Sequence, residues 1–380
     1  MDAYQRLELT TSQMHLEPAE DVHQPHLSRR KQDKIFVSDA VLPNGRHISL
    51  LKSQLSTVCE RNCYYCPFRA GRDFQRATFT PDEFARVFMS LYHARIVEGI
   101  FLSSGIVKNG IYTEDKLLDT ADILRNKLLF KGYIHLKIMP GADFAQVERA
   151  MQLADRVSIN LEAPTTHWLQ MLAPKKQFVQ ELLEPLKWID QIRRNQPAHK
   201  GWKGHWPSSV TQFVVSAVGE TDLELLSTTE YLYKHLQLKR AYYSSFNPIT
   251  DTPLENVPSG SPVREHRLYE ASFLLRDYGF SLEELPFDPF GQLPRGEDPK
   301  LAWAKQNLTG APVEINRADR FQLLRIPGIG PKSAQSILLA RRKNRLDSPA
   351  ALSIFGVNLK RAAPFILING KTFAYQTSFF

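Results

Sequence analysis

The chain of 380 residues has no cysteine outside an eight-residue window. Its three cysteines, Cys59, Cys63 and Cys66, lie in the stretch STVCERNCYYCPFRAGRD. Three cysteines this close make a poor disulfide framework, because one thiol would stay unpaired. A reducing compartment, with the thiolates reserved for a metal, fits this usage better. We therefore expect a cytoplasmic protein.

The sequence also has no long apolar run, and its first residues are not expected to act as a secretory leader. Hydrophobic residues make up 43% of the chain, yet no uninterrupted run approaches the roughly 18 residues of a membrane span. The first residues, MDAYQRLELTTSQMHLEPAED, lack the basic-then-apolar order of a signal peptide. The sequence thus disfavours membrane-spanning and secreted classes.

Acidic residues are scarce in one segment only. Residues 313–380 hold eleven Lys and Arg but three acids, whereas the first 312 residues hold 37 of each sign. The whole net charge of +8 therefore belongs to the C-terminal segment. Such a patch on a small terminal domain suggests a polyanionic partner, although a solvated surface is the simpler interpretation of charge alone.

The pattern along the chain predicts four parts. Residues 1–34 are polar and are expected to be a flexible N-terminal arm. Residues 35–285 alternate short strand-like runs with helix-like segments, which predicts parallel βαβ units and an α/β fold, a partial (β/α)6 TIM-like barrel. Residues 286–312, with five prolines and three glycines, are expected to connect this core to a small all-α domain at 313–380.

Two strand candidates alternate polar and apolar residues. In RVSINLEAP the polar positions are Ser158, Asn160 and Glu162, and YIHLKIMPG places His135 and Lys137 on one side. A parallel sheet covered by helices is apolar on the helix side, so the polar side should line a cavity. We expect the site at the C-terminal strand ends.

The cysteine spacing, C-x3-C-x2-C, suits metal chemistry. Three thiolates can hold three irons of a [4Fe–4S] cube and leave the fourth iron open for a ligand. Zinc is the main alternative, but a structural zinc wants a fourth protein ligand at close spacing, and neither His47 nor His93 provides it. A disulfide plus one free thiol is the third possibility.

The cysteine motif resembles that of the radical SAM superfamily, C-x3-C-x-Φ-C, with Tyr65 at the aromatic position Φ. The resemblance implies a [4Fe–4S] cluster whose open iron binds S-adenosylmethionine (SAM). It implies that the reduced cluster cleaves SAM to methionine and a 5′-deoxyadenosyl radical, which abstracts hydrogen from substrate. It also implies an electron donor such as ferredoxin or flavodoxin.

Further positions can be carried over from this resemblance as SAM-binding candidates. Ser103-Ser104-Gly105 stands where the family has a Gly-Gly-Glu-like motif near the SAM amino group. Ser158, Asn160 and Glu162 resemble the ribose- and methionine-contacting positions. The stretch QFVVSAVGETD resembles the fifth-strand motif near adenine, and its candidates are Gln212, Ser216, Gly219 and Glu220. For each single residue, a polar cap at a strand end is an equally good interpretation.

The lack of other cysteines narrows the implied chemistry. There is no second cluster for sulfur insertion, no cysteine pair for methylation through a methylated cysteine, and no cysteine hydrogen donor of the photoproduct-lyase kind. What remains is direct hydrogen abstraction from the substrate.

The stretch LLRIPGIGPKSAQSILLARRK predicts two helices joined by a glycine turn. The second helix begins with free amides, which favour phosphate. It resembles the helix-hairpin-helix motif of DNA repair and recombination proteins, and LSIFGVNLKRAAPFI looks like a degenerate second copy. The candidate nucleic-acid-binding residues are Gly328, Ile329, Gly330, Lys332, Ser333, Lys360 and Arg361. The alternative is a protein–protein module.

The combination of both motifs, over roughly residues 45–370, resembles a bacterial and archaeal family described as DNA modification or repair radical SAM proteins. This resemblance implies DNA as the partner, contacted through its duplex backbone. Two alternatives stay open: a radical SAM enzyme acting on RNA, such as a tRNA base, and a non-catalytic DNA-binding adaptor with a structural metal.

Overall fold

The computed structural model describes residues 1–16, 35, 37–42 and 45–373. The chain divides into two compact units. The core unit comprises Met1–Glu220 and Tyr231–Ser261, and the C-terminal unit comprises Thr221–Glu230 and the described part of Pro262–Phe380. Among the described residues, none of the helices has both the length and the apolar character that crossing a membrane requires.

The core unit is built on one seven-stranded sheet. Its strands are β1 (Val37–Val41), β2 (His47–Gln54), β3 (Gly99–Ser103), β4 (Tyr133–Lys137), β5 (Arg156–Ser158), β6 (Ser208–Val215) and β7 (Arg240–Ser245). They lie in sequence order, with β1 antiparallel to β2 and every pair from β2 to β7 parallel. Six parallel strands in unbroken order confirm the predicted partial (β/α)6 barrel, to which β1 adds an antiparallel edge.

One helix, α1 (Ala3–Thr11), precedes the sheet. The helices that connect the parallel strands are α2 (Pro81–His93), α3 (Gly110–Asp122), α4 (Phe144–Leu153), α5 (Thr166–Leu172), α6 (Glu184–Asn195) and α7 (Asp222–His235). Short 3-10 or π turns occupy Met14–Leu16, Ile123–Lys127, Phe178–Leu183, Ala198–Lys200 and Trp202–Gly204. Local sequence sets where these helices begin. Thr80 and Glu83 form a capping box at the start of α2, and Pro81 fills its first turn.

The two faces of the sheet differ as the alternation predicts. Val157, Ile159 and Leu161 are buried apolar residues of the core. Lys137 and Asn160 line a cavity at the strand ends instead. His135 is fully buried and lies edge-on against the ring of Phe101, with 4.7 Å between the ring centres. The polar face is therefore packed along the strands and open at their C-terminal ends.

The N-terminal arm differs from the sequence expectation. Residues 3–11 form α1, which begins with a capping box between Asp2 and Gln5. Leu7 and Met14 are buried, and Ser53 of β2 donates a hydrogen bond of 3.0 Å to Thr10. The prediction of a flexible arm is wrong for residues 3–16, because this short amphipathic segment has a partner in β2. Residues 17–34 of the predicted arm lie outside the described part.

The C-terminal unit is helical except for one short strand pair. Its helices are α8 (Pro262–Asp277), α9 (Pro299–Asn307), α10 (Arg320–Arg325), α11 (Pro331–Ala340), α12 (Pro349–Ile354) and α13 (Leu359–Ala362), with 3-10 turns at Leu282–Glu284 and Ala363–Phe365. The strands β8 (Val313–Glu314) and β9 (Ile366–Leu367) pair in parallel. The expected all-α domain thus carries a small β element that joins its two ends.

The boundary of this unit also differs from the prediction. Helix α8, expected in the core at 35–285, is grouped with the C-terminal unit. Residues of the predicted connecting segment are part of the same hydrophobic cluster as the hairpins: Ala304 and Leu308 pack with Ile326 and Ile337. The prolines and glycines of 286–312 mark bends within a domain and not a linker between two domains.

One buried carboxylic acid predicts a pH-dependent stability. Burial raises the pKa of Glu114, on α3, to about 8 from a usual 4.5. Its Oε2 accepts a hydrogen bond from Met139 N, while Oε1 has no partner among the described residues. A folded pKa above the unfolded one means that stability is fully present below pH 4.5 and is lost as the pH rises towards 8. We expect Glu114→Gln to raise the free energy of unfolding at pH 8 by about 4 kcal/mol, and to change it little at pH 4.5. Denaturant unfolding at both pH values measures this difference; a less stable variant at pH 8 would contradict it.

Candidate functional site

All six parallel strands end at one cavity, here named the cysteine cavity. It encloses about 1110 Å³ including its mouth. Gln54, Ser103, Lys137, Val214 and Ser244, at the C-terminal ends of five of these strands, line it. Asn160 and Glu162, just after β5, line it as well. The site thus lies where a barrel of parallel strands places it.

The three cysteines meet in this cavity. Cys59, Cys63 and Cys66 all line it, and all three are free thiols. The sulfur of Cys59 accepts hydrogen bonds of 3.4 Å from the backbone N–H groups of Arg61 and Ile106. Burial raises the pKa of Cys63 and of Cys66, so both carry protons in the metal-free chain. Iron would have to displace those protons on binding.

Distant segments fix the cysteine loop. Glu60 N donates to Ile106 O, and Tyr64 N donates to Leu172 O, each at 2.8 Å. Arg61 donates to the carbonyl of Lys175 and pairs with Glu181 at 2.6 Å. The loop is therefore held from both sides before any ligand enters, a form of preorganisation that metal sites need.

The donor set fits an iron–sulfur cluster that carries an organic ligand. Two buried oxygens in the cavity, Gln54 Oε1 and Glu162 Oε2, have no hydrogen-bond partner among the described residues. Buried acceptors of this kind call for a ligand with N–H or O–H donors, because an unpaired buried polar atom is costly. SAM carries both an ammonium group and ribose hydroxyls. In the described ranges, no three His, Cys, Asp or Glu side chains are placed to hold one metal ion.

Most of the predicted SAM-binding residues come together here. The residues in the cavity lining are Tyr65, Ser103, Ser104, Gly105, Asn160, Glu162 and Gln212. The hydroxyl of Ser104 donates to Gly105 O at 2.7 Å, which leaves its lone pairs available as acceptors. Asn160 Nδ2 donates to Gln212 Oε1 at 3.3 Å, so those two side chains form one polar wall.

Four predicted residues lie outside the lining. Ser158 is buried within β5, and its hydroxyl has no partner among the described residues. Ser216, Gly219 and Glu220 form the loop after β6, where the carboxylate of Glu220 accepts from Ser216 N at 2.6 Å. Ser216 has a φ of +74°, a conformation that favours glycine. Glu220 therefore stabilises a strained loop, and the adenine contact of these residues stays a prediction.

Sequence reasoning missed Lys176, the most buried cation of the site. Its Nζ donates to Glu162 Oε1 at 2.8 Å and to the Tyr65 hydroxyl at 3.3 Å. Lys176 lowers the pKa of Glu162 against the burial that would raise it, and Glu162 in turn raises the pKa of Lys176. Glu162 has a φ of +66°, a strained conformation that the surrounding contacts must hold in place. No motif marks Lys176, which follows the exposed Lys175 in the chain.

Gly105 lies so close to the cysteine loop that a side chain would collide with it. A Cβ on Gly105 would come within 2.2 Å of Val58 O and 3.0 Å of Cys59 Cβ. We expect Gly105→Ala to displace Cys59, to destabilise the fold by about 1–3 kcal/mol and to lower iron uptake. Gly296→Ala, where a Cβ meets nothing within 4 Å, is the control. Iron content after reconstitution and the unfolding midpoint measure the effect, and equal iron in both variants would contradict it.

The C-terminal unit holds the two predicted hairpins. In the first, α10 and α11 flank Gly328, whose φ is +84°; in the second, α12 and α13 flank Gly356, whose φ is +74°. Asn358 N donates to Gly328 O at 3.0 Å, and Ser333 Oγ donates to Gly356 O at 3.2 Å. The degenerate copy is thus a real second hairpin, and the pair is interlocked through its glycines.

The candidate nucleic-acid-binding residues differ in exposure. Lys332, Lys360 and Arg361 are exposed, whereas Ile329 and Ser333 are buried in the hairpin pair. A Cβ on Gly328 would lie 2.4 Å from Asn358 O, so this glycine also serves hairpin packing. Arg325 and Arg341 bind within the unit, to Glu284 and to Ile315 O. The remaining basic residues of this segment are exposed: Arg317, Arg320, Lys332, Arg342, Lys343, Arg345, Lys360, Arg361 and Lys371.

The chain is similar to one family model and to several solved structures. The family model described as helix-hairpin-helix motif matches residues 312–340 and confirms the first hairpin. No curated protein sequence matches the chain. Among solved structures, methylornithine synthase (PylB) is similar at 15% identity and a TM-score of 0.48, over 60% of this chain and 61% of that one. The [FeFe]-hydrogenase maturase HydG from Carboxydothermus hydrogenoformans is similar at 16% identity and a TM-score of 0.44, over 60% of this chain and 51% of that one.

A third similar structure is the cobalamin-dependent S-adenosylmethionine radical enzyme OxsB, at 13% identity and a TM-score of 0.34, over 60% of this chain and 30% of that one. The chain therefore spans between 30% and 61% of the length of these structures.

Proposed function

We propose that the chain is a radical SAM enzyme that acts on nucleic acid in the cytoplasm, in DNA repair or modification. The observation that carries the proposal is the convergence of Cys59, Cys63 and Cys66 on the cavity where six parallel strands end. These three residues are all the cysteines of the chain, and each of them lines the cysteine cavity.

Different residues of the cysteine cavity would hold the cluster and SAM. Cys59, Cys63 and Cys66 would hold three irons of the cluster and would leave the fourth iron open for SAM. Ser104, Glu162 and Gln54 offer acceptor oxygens to the donors of SAM. When bound, the two cofactors supply a hydrogen-abstracting radical chemistry.

Apolar side chains complete the cavity. Phe68, Ile106, Ile138, Met139 and Phe246 line it beside the polar groups. Such walls help to keep water away from a reactive species. The buried pair of Lys176 and Glu162 keeps one fixed cation beside the cysteines, where the cluster would carry negative charge.

The nucleic-acid part of the proposal is supported by the hairpin pair and its charge. Two interlocked hairpins with exposed cations at Lys332 and Lys360 suit the two phosphate backbones of a duplex. Contacts of this kind set position and not sequence, so the target base would be chosen in the cysteine cavity.

The test combines cofactor and substrate measurements. Anaerobic reconstitution should give about four iron and four sulfide per chain, and dithionite should then drive SAM cleavage. Zinc without iron would overturn the enzyme proposal. Binding competition between matched DNA and RNA duplexes should favour DNA, and an RNA preference would move the substrate to RNA. Mass spectrometry of genomic nucleosides from a deletion strain and its parent should then show the altered base.

A further inference from the structure

A cleft beside the first hairpin carries two converging cations. This hairpin cleft encloses about 810 Å³ including its mouth and lies wholly within the C-terminal unit. Helices α8 and α9 supply one wall, Gly328–Gly330 of the hairpin supply another, and Arg361 lies on α13. Helix α9 lies largely outside the segment that matches the hairpin family, so the cleft is a feature of this chain's own domain.

Lys300, on α9, places its amine in the hairpin cleft. Only 8% of the residue is exposed. Its Nζ donates to Ile329 O at 2.6 Å and lies 4.5 Å from the centre of the Tyr278 ring. Among the described residues, Ile329 O is the one acceptor within hydrogen-bond distance of this amine. An ammonium group has three N–H donors, so two remain for a ligand.

Burial and the charges around Lys300 lower the pKa of its amine. Burial, with Arg361 and Arg325 as further causes, lowers the pKa of Lys300 to about 7, while Asp298 acts in the opposite direction. The other charged group of the hairpin cleft is Glu270, which pairs with Arg267 and His266. Near neutral pH the amine is therefore only partly charged.

Arg361 has a partner that can be exchanged. Its guanidinium binds Asp298 Oδ2, while Oδ1 of the same carboxylate accepts from Leu301 N and caps α9. Arg361 is 42% exposed, so an incoming anion can reach it. A phosphate offers the same forked geometry as a carboxylate.

We propose that the hairpin cleft binds a backbone phosphate of nucleic acid between Lys300 and Arg361. This rests on the nucleic-acid part of the proposed function. Phosphate would replace Asp298 at Arg361 and would fill the open donors of Lys300. The anion favours the charged amine, so binding and protonation support each other.

The proposal fixes the direction of a pH effect. At pH 6 Lys300 is charged before binding, whereas at pH 9 the free chain must take up the proton. Affinity for duplex DNA should therefore fall between pH 6 and pH 9, by up to about a hundredfold for the two pH units that separate pH 9 from a pKa of about 7. Lys300→Met should bind more weakly at pH 6 and lose this fall. Lys300→Arg, charged throughout, should hold its affinity at pH 9.

The experiment measures anisotropy of a labelled duplex of about 20 base pairs with the full chain, at constant ionic strength. Lys305→Met is the control, because Lys305 lies on α9 but pairs with Glu297. At pH 6 the slope of log affinity against log salt should fall by about one in Lys300→Met, and by nothing in the control. Asp298→Asn, which keeps the cap of α9, should bind a few fold more tightly.

The outcomes separate the two proposals. A Lys300→Met chain with the affinity, salt slope and pH profile of the unaltered chain would overturn the hairpin cleft as a phosphate site and leave nucleic-acid binding intact. A chain that binds neither DNA nor RNA at any pH, while still cleaving SAM, would overturn the nucleic-acid function and this inference together.

Discussion

Cys63→Ala should abolish cluster binding and reductive SAM cleavage while the protein still folds. Cys63 is buried in the cysteine cavity, and the other two thiols can bind only two of the irons. Loss of a residue that merely orients a ligand lowers metal affinity by about 10- to 100-fold, so loss of a ligand should cost more. We expect iron well below the four per chain of the intact protein, and SAM cleavage at least about a hundredfold slower.

A neighbouring substitution controls for damage to the loop. Tyr64 adjoins Cys63 but does not line the cysteine cavity, and it is fixed through its backbone N–H to Leu172 O. Tyr64→Phe keeps that bond and should retain iron and activity. Circular dichroism should show the same fold in both variants. Full iron loading in Cys63→Ala would mean that the cysteines do not hold the cluster.

The cysteine site could be predicted because its information is local. The spacing of Cys59, Cys63 and Cys66 fixes which groups can share a ligand, whatever the rest of the chain does. The alternation along RVSINLEAP similarly predicted that Asn160 and Glu162 line the cavity, whereas Ser158, at the same alternation, is buried within β5. The parallel strand order followed from the repeated strand–helix pattern.

Features that depend on distant partners could not be predicted in this way. Lys175 and Lys176 are adjacent and have the same side chain, yet Lys175 is exposed and Lys176 lines the cysteine cavity. Arg61, more than a hundred residues earlier, binds the carbonyl of Lys175 and helps to decide between them. The arm at residues 3–16 is polar in composition, but its Leu7 is buried and its helix α1 packs against β2. In each case a contact remote in sequence sets the outcome.

Lys176→Met should destabilise the core unit strongly. Lys176 and Glu162 form an ion pair of 2.8 Å with side chains only 10% and 2% exposed. Removing the cation leaves the carboxylate of Glu162 buried and uncompensated, which costs about 3–5 kcal/mol. In the variant the pKa of Glu162 should rise, so the loss should shrink as the pH falls towards 5, where the carboxyl group can be neutral. Denaturant unfolding at pH 7.5 and pH 5 measures both effects.

A double variant separates stability from function. Lys176→Met with Glu162→Gln removes both charges, and should recover most of the lost stability because no uncompensated charge remains. It should still bind SAM poorly, since the carboxylate and the fixed cation of the cysteine cavity are gone. Lys116→Met, which breaks an exposed pair with Asp119, should cost less than about 1 kcal/mol. If the double variant were as unstable as Lys176→Met alone, the ion pair would not be the source of the loss; if it cleaved SAM normally, this pair would have no part in the site.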